Sequence, residues 1–78
     1  MWFVYVLRCS DGKLYTGCTE DINERLQSHN AGLVFSTKFR LPVTLVTYIV
    51  LTDKYKAFDF EKYLKSGSGR AFLSNHLL

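Results

Sequence analysis

Three charged or titratable residues stand where a helical pattern asks for apolar ones. With Ile22 and Leu26 as the inward face of a first helix, the spacing i, i+3, i+4, i+7 from Ile22 selects Arg25, Leu26 and His29. A second helix repeats the exception, because the same spacing from Ala57 selects Phe60, Glu61 and Leu64. Burying a charge is costly unless it is paired or wet. Each residue has an ordinary explanation: Glu61 can pair with Lys65 one turn on, and Arg25 can stretch to the helix edge. Two helices breaking pattern in the same way point instead to one shared polar cleft. Side chains of these types bind anions, carry protons and hold cations.

The N-terminal segment adds two phenols. Trp2–Leu7 is a β-branched and aromatic run that reads as a strand covered on both faces. Ser10-Asp11-Gly12 is a turn signal, with Gly12 suited to the positive φ of a three-residue hairpin loop, and Leu14–Cys18 returns as the second strand. This loop sets Cys9 opposite Lys13, Leu7 opposite Tyr15 and Tyr5 opposite Gly17. Side chains alternate along strands, so Tyr5, Leu7, Tyr15 and Gly17 share one face, and Gly17 leaves a hollow beside Tyr5. In this register Cys9 and Cys18 point to opposite faces, which argues against a disulfide between them.

The positioning elements follow from local signals. The first helix opens at Asp21, with Glu24 three residues on, and closes at Ala31-Gly32, where Gly32 suits the left-handed position after the helix. Val43–Leu51, after Pro42, is a third strand of nine uncharged residues, and its apolarity places it centrally in the sheet. The second helix starts after Thr52-Asp53 and stops at Ser66–Gly69. Arg70–Leu78 forms a last helical stretch that packs back with Phe72 and Leu73. The order β-β-α-β-α-α predicts an α+β fold: a small three-stranded antiparallel or mixed sheet flanked by helices.

Composition bounds the function. Seventy-eight residues make a single domain, spanning 1–78. A hydrophobic fraction of 47% with 15% aromatic residues supplies a core and excludes disorder. No apolar run approaches eighteen residues, which excludes a transmembrane helix, and no secretory leader is visible. The chain is therefore expected to be complete, cytoplasmic and without a membrane role. Ten Lys/Arg against seven Asp/Glu give a net charge of +3, and with a pI near 9.0 this hints at a polyanionic partner. Two cysteines are too few for a disulfide scaffold or a metal finger. Lys38 and Arg40 before the third strand, and Lys13 at the hairpin, are candidate phosphate contacts, with Phe35 or Phe39 available to stack on a base.

Together these residues resemble the GIY-YIG nuclease superfamily, in particular its small stand-alone members. Val4-Tyr5-Val6 stands at the first motif and keeps its tyrosine as Tyr5. Tyr15-Thr16-Gly17 matches the second motif, with Thr16 replacing the usual isoleucine. Arg25 and His29 match the first-helix arginine and the polar residue one turn later. Glu61, within Phe60–Lys65, matches the metal-binding glutamate, and Ser66–Phe72 looks like the signature that follows it. Asn75 lies about where larger members place an active-site asparagine. The separate DNA-binding domain of those larger members has no counterpart here.

The resemblance implies a divalent-metal-dependent endonuclease that hydrolyses phosphodiesters, of DNA in the first instance, leaving 5′-phosphate and 3′-hydroxyl ends. It implies Mg²⁺ or Mn²⁺ on Glu61, Arg25 on the scissile phosphate, and Tyr5 as general base toward water. His29 would take up the Tyr5 proton, Tyr15 would orient water or phosphate, and Gly17 would let the backbone approach. Lys13, Lys38, Arg40 and Asn75 complete the expected substrate contacts. Cutting both strands with one site favours a homodimer, a specificity-giving partner protein or sequential nicks. Three other readings compete: a non-catalytic nucleic-acid-binding module on the same fold, a metal-independent ribonuclease using His29 and His76, and a protein-interaction domain.

Overall fold

A computed structural model describes residues 1–78. The elements are β1 (Trp2–Arg8), β2 (Leu14–Thr19), α1 (Ile22–Asn30), β3 (Thr44–Leu51), α2 (Lys54–Leu64) and α3 (Gly67–His76). The fold is α+β in the predicted order, and all three strands pair antiparallel.

The hairpin register is the one its turn demands. Gly12 takes φ +82°, and Tyr5 faces Gly17 while Leu7 faces Tyr15. Both helix starts are capped by aspartate: Asp21 accepts from the Glu24 N–H, and Asp53 from the Tyr55 and Lys56 N–H groups. Gly32 follows α1 with φ +76°. Asn30, the last residue of α1, accepts from the Val43 N–H at 3.1 Å and so ties this helix to the approach of β3.

Two expectations are corrected. The sheet order is β2-β1-β3, so β1 is central and the apolar third strand is an edge. Apolarity alone misleads here because β3 leaves Tyr48 and Val50 exposed, whereas Val4, Tyr5, Val6 and Leu7 are all buried. The third helix also begins three residues before Arg70, since the serine-glycine stretch is its first turn. Ser66 caps it by accepting from the Gly69 N–H, and any Cβ on Gly69 would overlap the Tyr63 carbonyl and Leu64 backbone. Gly69 thus permits the close docking of α3 on the end of α2.

The sheet divides the core in two. On one face Val4 and Val6 pack with Ala57, Leu64 and Leu73 of α2 and α3. On the other, Tyr5, Leu7, Cys9 and Val43 pack with Ile22 and Leu26 of α1. The two helices carrying Arg25 and Glu61 therefore lie on opposite faces, and their polar groups can meet only around the free edge of β2. Cys9 and Cys18 are both free, one in each core.

Candidate active site

Glycine at position 17 makes the site possible. The Tyr5 ring lies across β2 where a side chain would otherwise stand, and a Cβ on Gly17 would overlap the phenol itself. The residue is 2% exposed, so its ring is enclosed and its hydroxyl lies among protein side chains. There it meets two α1 side chains one turn apart. His29 Nε2 lies 2.9 Å from the Tyr5 oxygen, and Arg25 donates to that oxygen through Nε at 3.3 Å. The predicted inward stripe of α1 is thus real, and its polar members converge on one phenol.

The Tyr5 oxygen accepts from Arg25, and His29 bridges that oxygen to a second hydroxyl: its Nδ1 lies 2.8 Å from Thr37 Oγ1. Both His29 and Thr37 are fully buried. A neutral imidazole has one N–H, so the two contacts run in one sense, either Tyr5 O–H to Nε2 with Nδ1–H to Thr37, or Thr37 O–H to Nδ1 with Nε2–H to Tyr5. Thr37 is a site residue that sequence reasoning missed. It sits in the turns between α1 and β3, held by hydrogen bonds from its N–H to Val34 and to its carbonyl from Arg40. No periodicity marks such a position; the only available signal is that His29 needs a second partner.

Electrostatics agree with a neutral imidazole. Burial raises the Tyr5 pKa above its usual value of 10.0, against an opposing pull from the Arg25 hydrogen bond. Burial, assisted by the Arg25 charge, lowers His29 below 6.5. Arg25 is held more firmly charged, chiefly by its bond to Tyr5. At neutral pH the trio is a neutral phenol, a neutral imidazole and a guanidinium. Tyr15 closes the side of the site, its ring 5.2 Å from His29 and 6.4 Å from Tyr5.

The His29 shift carries a stability prediction. An unfolded histidine takes up a proton near pH 6.5, whereas the folded one resists it, so the unfolded state binds more protons below that pH. The stability is whole above about pH 6.5 and is lost as the pH falls toward and through the lowered folded value. Urea midpoints measured from neutral to mildly acidic pH should fall more steeply for wild type than for His29→Gln. Parallel curves would mean that His29 does not resist protonation.

Glu61 approaches from the other face of the sheet. It is half-buried and pairs with Lys65 at 3.4 Å, the i, i+4 partner expected of a solvated helix face. It also reaches the site through its charge: after burial it is a further cause of the raised Cys18 pKa, and it contributes to the rise at Tyr5. Its one direct side-chain contact is the pair with Lys65.

The expected substrate contacts divide. Lys13 and Arg40 line one groove beside the hairpin, where Arg40 also pairs with Asp11 at 3.7 Å. Lys38 lies elsewhere, its ammonium 4.9 Å from the ring centres of both Phe35 and Phe39, which are exposed. Asn75 is exposed on α3 and makes no side-chain hydrogen bond to the cluster. His76 stacks on Phe72 at 5.1 Å, in the α2–α3 packing and apart from His29. No helix is long and apolar enough to cross a membrane.

Comparison with known proteins identifies the family. A family model described as the GIY-YIG catalytic domain fits residues 1–75. UPF0213 proteins of Streptococcus pyogenes serotype M5 (strain Manfredo) and serotype M2 (strain MGAS10270) are each 40% identical over 79 aligned positions, covering 95% of this chain and 86% of theirs. The solution NMR structure of the UPF0213 protein BH0048 from Bacillus halodurans superposes with a TM-score of 0.60 at 33% identity, covering 96% of this chain and 84% of that one. The names of these relatives state no reaction or substrate. The tyrosine–glycine hairpin, the arginine–histidine helix and the family match over nearly the whole length together place this chain in the GIY-YIG nuclease family, among its small UPF0213 members.

Proposed function

We propose that the chain is a divalent-metal-dependent endonuclease that hydrolyses phosphodiester bonds in nucleic acid, DNA in the first instance. The observation that carries this reading is the buried Tyr5 hydroxyl, held over Gly17 between His29 and Arg25. A packing tyrosine needs neither a neutral imidazole as acceptor nor a guanidinium on its oxygen; a phenol that must lose and regain a proton needs both.

Tyr5 is too weak an acid to ionise unaided near neutral pH, but it need not ionise in isolation. As water attacks phosphorus, the Tyr5 oxygen takes the water proton while its own proton passes to His29 Nε2. On this reading Nδ1–H donates to Thr37 across their 2.8 Å contact, which leaves Nε2 as the proton acceptor. Arg25 steadies the phenol oxygen through Nε, and its remaining N–H groups are free to bind a non-bridging phosphate oxygen and neutralise charge there. The bond from phosphorus to the 3′ oxygen breaks, the departing alkoxide takes a proton from solvent water, and His29 returns its proton to solvent, so the products carry a 5′-phosphate and a 3′-hydroxyl.

Divalent metal is general to the family, and the donors present fit it. Nowhere do three His, Cys, Asp or Glu side chains converge, so no all-protein cage exists. Mg²⁺ commonly takes one or two carboxylates and completes its shell with water and substrate phosphate. Glu61, with the carboxylate oxygen that Lys65 does not engage, suits that mode. When bound, the metal supplies Lewis-acid stabilisation of charge on the phosphate.

The direct test is cleavage by the purified chain of branched, nicked and single-stranded DNA and RNA, with Mg²⁺ or Mn²⁺ and again with EDTA. Metal-dependent products bearing 5′-phosphate support the reading. Tight, salt-sensitive binding without cleavage would replace it with the non-catalytic module. Cleavage that survives EDTA would point to metal-free acid–base chemistry.

The role of Thr37 has its own test. Thr37→Val keeps the shape but removes the acceptor of a buried N–H, while Thr37→Ser restores a hydroxyl. The valine variant is expected to lose roughly 10–100-fold in single-turnover rate, the scale seen when a partner that fixes a histidine tautomer is removed. The serine variant should stay near wild type. The ¹⁵N shifts of the His29 ring should report an Nδ1–H tautomer in wild type and its loss in Thr37→Val. Unchanged shifts in the valine variant would remove Thr37 from the proton chain.

A further inference from the structure

Half of the basic residues of the chain gather away from the Tyr5 cluster. Arg8, Lys13, Arg40, Lys65 and Arg70 line a groove of about 780 Å³, which takes five of the ten Lys/Arg and none of the seven Asp/Glu. They come from the end of β1, the hairpin, the loop before β3, the end of α2 and the start of α3. The floor is apolar, with Leu64 and Leu73 among its residues.

Two of these cations are already committed. Arg40 pairs with Asp11 at 3.7 Å and donates to the Ser36 carbonyl at 2.8 Å, and Lys65 pairs with Glu61. Arg8, Lys13 and Arg70 have no carboxylate within 4 Å. Like charges held around one concavity repel, and apolar walls strengthen the field they share. The arrangement is stable alone but complementary to a ligand carrying several negative charges in a row.

Two residues of the groove adjoin the catalytic cluster. Tyr15 borders it and packs on His29 at 5.2 Å. Lys65, also on its wall, lies one turn beyond Glu61, about 6 Å along the helix at 1.5 Å per residue.

We propose that the groove is a second phosphate-binding site, holding the nucleic-acid backbone beside the scissile bond through Arg8, Lys13 and Arg70. This assignment takes its substrate class from the nuclease reading. It differs from the contacts expected from sequence in two respects: Arg8 and Arg70 enter, and Lys38 falls outside. An inventory of loop charges misses both arginines because each lies within a regular element, and only the packing of α3 beside the hairpin end brings them together.

The test uses the whole chain and the double variant Arg8→Gln/Arg70→Gln. Both side chains are exposed, so the variant is expected to melt with wild type. Binding of short labelled DNA and RNA oligonucleotides is measured in EDTA across a salt series. Hydrolysis of thymidine 5′-(p-nitrophenyl phosphate), too short to reach the groove, is measured with Mg²⁺. Each lost phosphate contact flattens the log–log salt slope by about 0.7–0.9, so the double variant should lose roughly 1.4–1.8. Its hydrolysis of the small diester should match wild type, and Arg8→Lys/Arg70→Lys should keep most of the slope.

An unchanged slope in the glutamine variant, beside salt-dependent binding by wild type, would overturn the groove while leaving the nuclease reading standing. A wild type that neither binds oligonucleotides nor hydrolyses the small diester would overturn both. Polyglutamate binding as tightly as the oligonucleotides would reassign the groove to an acidic polypeptide and overturn the nucleic-acid assignment.

Discussion

Tyr5→Phe is expected to lower the single-turnover cleavage rate by roughly 10²–10⁴, the usual contribution of a positioned general base. The ring stays where it is, since it is buried and packed over Gly17, and only the oxygen is lost. That oxygen has two partners, His29 Nε2 and Arg25 Nε, so stability should fall as well. Leaving a buried polar group unpaired costs about 1–3 kcal/mol, and each kcal/mol lowers Tm by about 4–8 °C in a domain of this size. A melt alone therefore does not separate catalysis from packing, because both roles predict a lower Tm. The rate does separate them. A folded Tyr5→Phe protein that cleaves within a few-fold of wild type would show that the phenol serves packing only.

The second large effect belongs to Glu61, with the opposite pattern. Glu61→Gln removes a charge but almost no packing, because the side chain is half-buried and its one partner is Lys65. An exposed i, i+4 pair is worth about 0.3–0.5 kcal/mol, so the melt should barely move. Activity should collapse. On the proposed metal role, replacing the Glu61 carboxylate removes the ligand, and with it several kcal/mol of charge stabilisation, or about 10²–10³ in rate. Rates titrated with Mg²⁺ should show no saturable metal dependence in the variant, while Glu61→Asp retains a weakened one. Wild-type rates in Glu61→Gln at ordinary Mg²⁺ would remove Glu61 from the metal role and leave it a surface ion pair.

Tyr5, Arg25, His29 and Glu61 could be singled out in the sequence because each breaks or uses a short-range rule. A helix repeats every 3.6 residues, so a charge in the apolar stripe is visible without coordinates. A hairpin loop sets the register of its strands, so Gly12 alone brings Gly17 opposite Tyr5. Asp21 and Asp53 mark helix starts because their side chains satisfy N–H groups two or three residues away.

What failed to show in the sequence is long-range in each case. The uncharged run Val43–Leu51 looks like a central strand, yet β3 takes an edge because β1 is the strand covered by helices on both sides. The placement of Glu61 and Arg25 on helices at opposite faces of the sheet follows from which helix crosses which face. Thr37 gains its role only when its loop closes over His29, and Arg8 joins Arg70 only when α3 docks beside the hairpin end.

The sequence by itself determined the order of elements, the hairpin register and which residues to propose for the site, because backbone conformation and side-chain periodicity act over a few residues. Only the tertiary structure decided strand order, the partner of His29 and the basic groove. Those depend on which distant surfaces bury each other, and a buried N–H or an unpaired cation acquires its partner from whatever that packing brings near.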